Sequence, residues 1–355
     1  MSRVYDLWEK LVGAVLDREE LRRLALRSSP SSSLGSSFSD YSSGFSYDST
    51  AYHIALPMEL KEIIKATENF QPAMFIGEGG MCQAFRAWID EHTLIASNPE
   101  SGLAVAIKKW KNFVKQDWLK EIDYMVQLSH PNLVNLIGYC TEKHHMMLVY
   151  EFVPNGKLKD HLFTNGYPSF SWARRIKVAL DIARGLSYLH ERDIPTIHRD
   201  FKSSNILLDW ELNAKLSNYC YGTDDPVDET TSFQTPQVFI NPSYTAPEYT
   251  TKGHLTTKSN VYTFGVVLLE LLSGTRASDL KLKKSCIVTK TTLQQMNMDV
   301  RLSSQYPRDD AYEVVKLALR CINIDPESRP IISDVVAALE QFLGDEPMLQ
   351  INNLD

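Results

Sequence analysis

Cysteine is scarce in this chain and carries no pattern. The five residues (Cys82, Cys140, Cys220, Cys286 and Cys321) are odd in number and far apart. No C-x-x-C pair occurs, so neither a disulfide framework nor a zinc site is expected, and the usage fits a reducing cytosol. Long apolar runs are missing as well: nothing approaches the ~18 residues of a membrane span, and no hydrophobic signal segment opens the chain. Position 2 lacks the glycine that N-myristoylation requires, since Ser2 stands there. A basic excess is absent, with 37 Lys and Arg against 44 Asp and Glu, a net charge of -7 and a pI near 5.8. Nucleic acid is therefore not an expected partner, because phosphate binding needs concentrated Lys and Arg. No repeat of 20–50 residues is visible. What is present is a 355-residue, 40.4 kDa chain with 43% hydrophobic residues, enough for a folded core and long enough for two lobes and a tail.

The texture changes along the chain. Val4, Leu7, Trp8, Leu11, Val15, Leu21 and Leu24 fall close to helical spacing, so residues 1–27 are expected to form an amphipathic helix. Its polar face is nearly charge-balanced, unlike a membrane-surface helix, and it packs either on the chain itself or on a partner. In residues 28–50, 12 of 23 are serine. Such a stretch buries too little apolar area to offset its ordering entropy, so residues 28–55 read as a disordered linker. A globular segment is expected over 56–345 and a short tail over 346–355. Within it, 60–70 reads as a short helix, and strand-like runs with glycine turns follow to about residue 150. Helical periodicity then dominates, with Ile176, Leu180, Ala183, Leu186 and Leu189 on one stripe of Trp172–His190. The expected class is α+β, with a strand-rich small lobe over about 70–150 and a helical large lobe over about 154–345.

Four ordered motifs carry the chemistry: V-A-I-K at 105–108, L-V-Y-E-F-V-P-N-G at 148–156, H-R-D-F-K-S-S-N at 198–205 and A-P-E at 246–248. A glycine cluster, I-G-E-G-G-M-C-Q-A-F at 76–85, precedes them. Together and in this order they resemble the protein-kinase set. The resemblance implies a bilobal kinase fold with ATP in the cleft. It makes Gly77, Gly79 and Gly80 the loop over the phosphates, where a Cβ would obstruct backbone approach, and Ala84 the apolar lid. Lys108 would contact the α- and β-phosphates and pair with Glu121. Tyr150 would be the gatekeeper, and Glu151–Val153 would offer backbone groups to adenine. Asp200 would accept the substrate hydroxyl proton, Lys202 would steady the phosphoryl group, and Asn205 would ligate a metal.

More narrowly, the chain is similar to plant receptor-like cytoplasmic kinases. The marks are W-I-D-E-H-T-L-x-A at 88–96, L-S-H-P-N-L-V-N-L-I-G-Y-C at 128–140 and K-S-N-V-Y-T-F-G-V-V-L-L-E-L-L-S-G at 258–274. The lysine two residues after Asp200 is the Ser/Thr pattern. This resemblance implies immune or growth signalling, with active kinases or receptor complexes as partners. It places the protein in the cytoplasm, peripheral at the plasma membrane through those partners.

Several positions depart from that pattern. Asn218-Tyr219-Cys220 stands where the family has Asp-Phe-Gly, so a neutral amide replaces a magnesium carboxylate and Cys220 replaces a flexible glycine. Cys82 replaces the last loop glycine. Asn260 replaces the aspartate that anchors the catalytic loop, and Asn241 replaces the threonine that touches the catalytic Asp and Lys. Pro236, beside Thr235, occupies the activation-loop threonine position, and 275–300 lack the helix that shapes substrate docking. Metal charge is worth several kcal/mol in the transition state, so losing ~4 kcal/mol would cost about a thousandfold in rate. The expectation is a pseudokinase, an adaptor, scaffold or decoy with weak ATP binding and a doubtful Mg2+ site at Asn205 and the degenerate Asn218. The alternative is a low-activity serine/threonine kinase. A nucleotide-independent relic working through its N-terminal helix ranks third.

Overall fold

The computed structural model describes residues 55–79, 82–111, 122, 124–142, 145–193, 195–219, 241–253, 255–280, 298–302 and 305–343. The expected N-terminal helix, most of the serine-rich linker and the C-terminal tail lie outside the described residues. So do Gly80, Glu121, Cys220, Thr235, Pro236 and most of 275–300.

The small lobe is a six-stranded sheet in the order β1-β5-β6-β4-β3-β2. Its strands are β1 (Leu56–Pro57), β2 (Phe75–Glu78), β3 (Cys82–Ile89), β4 (Leu103–Trp110), β5 (Leu136–Cys140) and β6 (Met147–Glu151). All its pairs are antiparallel except β1 with β5, a two-residue parallel addition that the sequence did not signal. In β4 the alternation of Val105, Ile107 against Ala106, Lys108 sends the β-branched pair to one face and Lys108 to the other. Val105 and Ile107 are fully buried in a cluster with Ile63, Ala87, Ile89, Met147 and Val149. Ile63 comes from α1 (Leu60–Ala66), the short helix expected at 60–70.

The large lobe holds α2 (Leu158–Phe163), α3 (Trp172–His190), the hairpin β7 (Ile206–Leu208) and β8 (Ala214–Leu216), α4 (Pro247–Lys252), α5 (Thr257–Ser273), α6 (Arg308–Cys321) and α7 (Ile332–Glu340). Ser171 starts α3 by accepting the Arg174 N–H, and the expected stripe from Ile176 to Leu189 is buried. Arg174, Lys177, Arg184 and Ser187 fall at helical spacing on the open side of α3, so it is an amphipathic helix with a wide buried face. A reciprocal Thr256–Ser259 capping box opens α5, and Gly274 in the left-handed region (φ 63°) closes it. A Cβ on Gly265 would stand 2.7 Å from both Cys321 Cβ and Ile322 Cγ2, so this glycine sets how closely α5 meets the end of α6.

The α+β bilobal kinase architecture is thus the one present. Within the large lobe the Glu248 carboxylate accepts from both terminal nitrogens of buried Arg329 at 2.7 Å, fixing the start of α4 to the segment before α7. No described helix is long and apolar enough to cross a membrane.

Candidate active site

Strand register gathers the expected nucleotide residues. Ala84 pairs with Gly77 on one side and Lys108 on the other, and Lys108 pairs with Leu148. Gly77 and Gly79 are not required by protein packing: a Cβ on Gly77 would meet nothing within 4 Å, and one on Gly79 nothing nearer than the Cys82 Sγ at 3.9 Å. Gly79 N–H donates to the Cys82 carbonyl at 2.8 Å, which closes the loop turn. Burial pushes the Cys82 thiol above its ordinary pKa.

At the far end of β6 the backbone leaves the sheet. The Glu151 N–H donates to the Asn135 carbonyl at 3.0 Å, and its carboxylate pairs with Lys215 at 2.8 Å. Glu151 therefore also ties β6 to β8 across the lobes. Tyr150 and Val153 are buried, and the Lys108 Nζ sits 4.7 Å from the Tyr150 ring centroid.

The catalytic segment follows α3. Lys202 Nζ donates to Asp200 Oδ1 at 2.7 Å, and both side chains remain partly exposed. Asn205 Nδ2 donates to the Asp200 carbonyl at 2.7 Å and to its Oδ2 at 2.8 Å. The β7–β8 hairpin then returns the chain, and Ser217 bonds the Asn205 carbonyl through both its N–H and its hydroxyl at 2.9 Å. That crossing places Asn218 beside Asn205. Asn218 holds φ 60°, a left-handed conformation in which Asn is among the tolerated side chains.

The direction of each amide is fixed by its neighbours. An ammonium can only donate, so the Asn218 Oδ1 faces Lys108, with which it is hydrogen-bonded. Asp200 offers only acceptors to Asn205 Nδ2. The remaining pair must then be Asn218 Nδ2 donating to Asn205 Oδ1, at 2.8 Å. Lys108, Asn218, Asn205, Asp200 and Lys202 form one continuous chain of donors and acceptors, in which the side-chain oxygens of both asparagines and of Asp200 all face N–H groups.

One residue behaves differently from its sequence reading. Asn260, whose lost carboxylate suggested an altered catalytic loop, still holds it: its Oδ1 accepts the His198 N–H at 2.8 Å and its Nδ2 donates to the His198 carbonyl at 2.9 Å. Asn241 is exposed and turns its oxygens to its own loop, accepting from Ser243 N–H at 3.1 Å, Tyr244 N–H at 3.0 Å and the Thr245 hydroxyl at 2.8 Å. The Tyr219 hydroxyl, which the family's phenylalanine would lack, donates to the buried Val134 carbonyl. Burial raises its pKa, so it remains a neutral donor. Arg329, the partner of Glu248, also escaped the sequence reading. Its only local signal is the E-S-R-P run at 327–330. The Lys108–Glu121 pairing lies outside the described residues.

A family model described as protein tyrosine and serine/threonine kinase matches residues 71–339. Among curated proteins the chain is similar to "Probable serine/threonine-protein kinase PBL3" of Arabidopsis thaliana, 46% identical over 304 residues, covering 82% of this chain and 71% of that one. It is 42% identical over 309 residues to "Receptor-like cytoplasmic kinase 176" of Oryza sativa subsp. japonica, covering 81% and 78%. With "Serine/threonine-protein kinase BIK1" of Arabidopsis thaliana it shares 43% over 295 residues, covering 79% and 74%.

Proposed function

Since the chain belongs to the protein tyrosine and serine/threonine kinase family, as a receptor-like cytoplasmic kinase of the serine/threonine type, we propose that it is a member whose phosphotransfer is lost or very weak. It acts as an adaptor, scaffold or decoy that presents a kinase surface to active kinases or receptor complexes in plant immune or growth signalling. The family's reaction uses ATP and magnesium, with the metal bridging phosphate oxygens and neutralising developing charge. The observation that carries the reading is the amide pair Asn218–Asn205. Magnesium demands oxygen ligands in near-octahedral geometry, usually from carboxylates, and here the Asn205 oxygen is occupied by an N–H of Asn218. These residues do not fit the ion.

A second reading, a slow serine/threonine kinase, draws on Asp200 and Lys202, which stand 2.7 Å apart in a partly exposed loop. Radiolabelled autophosphorylation and transfer to a generic basic protein, with native, Asp200→Ala and Asn218→Asp chains side by side, separates the two. Negligible label in all three is expected. Label in the native chain that vanishes in Asp200→Ala would replace the pseudokinase reading with the slow kinase. Partner capture that survives Asp200→Ala accords with the scaffold role.

A further inference from the structure

Position 218 changes what kind of ion the cleft attracts, beyond removing a ligand. With aspartate there, a carboxylate would face Asn205 and Lys108. With asparagine, the same place carries one negative charge fewer and presents an N–H2 group in place of one of the two acceptor oxygens. Asp200 retains a carboxylate, but its Oδ1 is held by Lys202 at 2.7 Å and its Oδ2 by Asn205 at 2.8 Å. A divalent cation entering here would have to break these contacts and would meet N–H donors where it needs oxygens. A phosphate oxygen has the opposite requirement. It needs donors, and Lys108, Asn218 Nδ2 and Lys202 all supply them within this one network.

We propose that the cleft takes the nucleoside triphosphate uncomplexed, and that magnesium opposes binding instead of assisting it. Complexation by magnesium withdraws negative charge from the phosphates and carries a cation into a site whose oxygens, on Asn218, Asn205 and Asp200, already face N–H groups. The free polyanion keeps its full charge for Lys108 and exchanges one hydrogen-bond acceptor, the Asn205 oxygen, for another at Asn218. Among the described residues of the nucleotide loop, Gly77 and Gly79 leave their faces clear of protein. This inference rests on the nucleotide binding assumed for the proposed function but not on the loss of phosphotransfer. A protein that transfers nothing and yet binds ATP better with magnesium would keep the pseudokinase reading and discard this one.

The test is isothermal titration of the full native chain with ATP in EDTA and with ATP in excess MgCl2, alongside AMP in both buffers. Magnesium is expected to weaken ATP binding about tenfold, about 1.4 kcal/mol. AMP, with its single phosphate, is expected to be nearly indifferent to magnesium. In Asn218→Asp the sign should reverse, with ATP binding tighter in MgCl2 than in EDTA. Tighter native binding with magnesium, equal affinity in both buffers, or no ATP binding in either would overturn the proposal. A variant that still binds ATP better in EDTA would remove Asn218 as its cause. Should the variant fail to fold, the native ATP and AMP titrations decide alone.

Discussion

The side-chain amide of Asn260 accepts from two groups and donates to a third, and a carboxylate has no hydrogen to donate. Its Oδ1 takes the His198 N–H at 2.8 Å and the His190 Nε2–H at 3.1 Å, while its Nδ2 supplies the His198 carbonyl at 2.9 Å. Asn260→Asp, which would restore the residue usual in the family, should therefore destabilise this chain. It would set a carboxylate oxygen against a buried carbonyl and leave that carbonyl unpaired, costs of about 1–3 kcal/mol before the charge is considered. His190 is held neutral by burial, its pKa lowered to about 4, and the new carboxylate would pull that value up. The destabilisation should then be largest near pH 8 and shrink toward pH 6 as His190 takes a proton. Urea unfolding of both chains at the two pH values checks this, and a variant as stable as the native chain at pH 8 would refute it. How legible such a residue was is instructive. Motif order in the sequence located Asn260, Asn218 and Asn205, but not the direction of their amides. That direction is set by partners as distant in sequence as Lys108, 110 positions from Asn218.

At the scale of elements, legibility followed length and periodicity. Trp172–His190 could be read to its ends because the apolar spacing is continuous and Ser171 caps it, whereas the short helix read at 60–70 ends at Ala66, with Glu68, Asn69 and Phe70 in the left-handed region. Strand β1 could not be read, since two residues carry no alternation, and it exists because Leu56 and Pro57 lie beside Gly138 and Tyr139. Nor did the sequence announce the contact between α5 and α6, which rests on the missing side chain of Gly265. Its Cβ would meet Ala318 O at 2.9 Å as well as Cys321 and Ile322, and two of these neighbours are backbone-fixed atoms that cannot swing aside. Gly265→Ala gains up to ~1 kcal/mol of intrinsic helix preference. Overpacking a tight interface costs ~1–3 kcal/mol, and two fixed neighbours out of three put this site at the upper end. A fall in melting temperature of several degrees is expected by calorimetry, whereas an unchanged or raised value would show that α6 yields freely.

For the whole molecule the proton balance of folding offers the sharper test. His198 is buried where the loop after α3 meets β8, its Nε2–H donating to the Ser217 carbonyl at 3.0 Å. Its Nδ1 meets no hydrogen-bond partner among the described residues, so a second proton would place an unpaired charged N–H in the interior. Burial accordingly lowers its pKa from 6.5 to about 4. Between those values the unfolded chain binds a proton that the folded chain refuses, so stability falls as pH falls. The contribution is complete above pH 6.5 and is lost on the way down to about 4, below which the folded state protonates too. The slope from this residue is about 1.4 kcal/mol per pH unit. His190 acts in the same direction, whereas Asp299, lowered to about 2 by its Arg301 and Arg175 bonds, loses its contribution only below its ordinary 3.8. In the interval from pH 6.5 to 4.5 the histidines are opposed by Glu270, whose carboxyl burial raises above its ordinary 4.5, so the comparison with a His198 variant isolates the histidine where the total slope does not. Urea unfolding free energies across it should fall more steeply in the native chain than in His198→Leu, by about one proton in slope, whatever the variant's absolute stability. Equal slopes would mean that His198 accepts its proton in the folded state, and that the loop carrying Asp200 opens to water before the molecule unfolds.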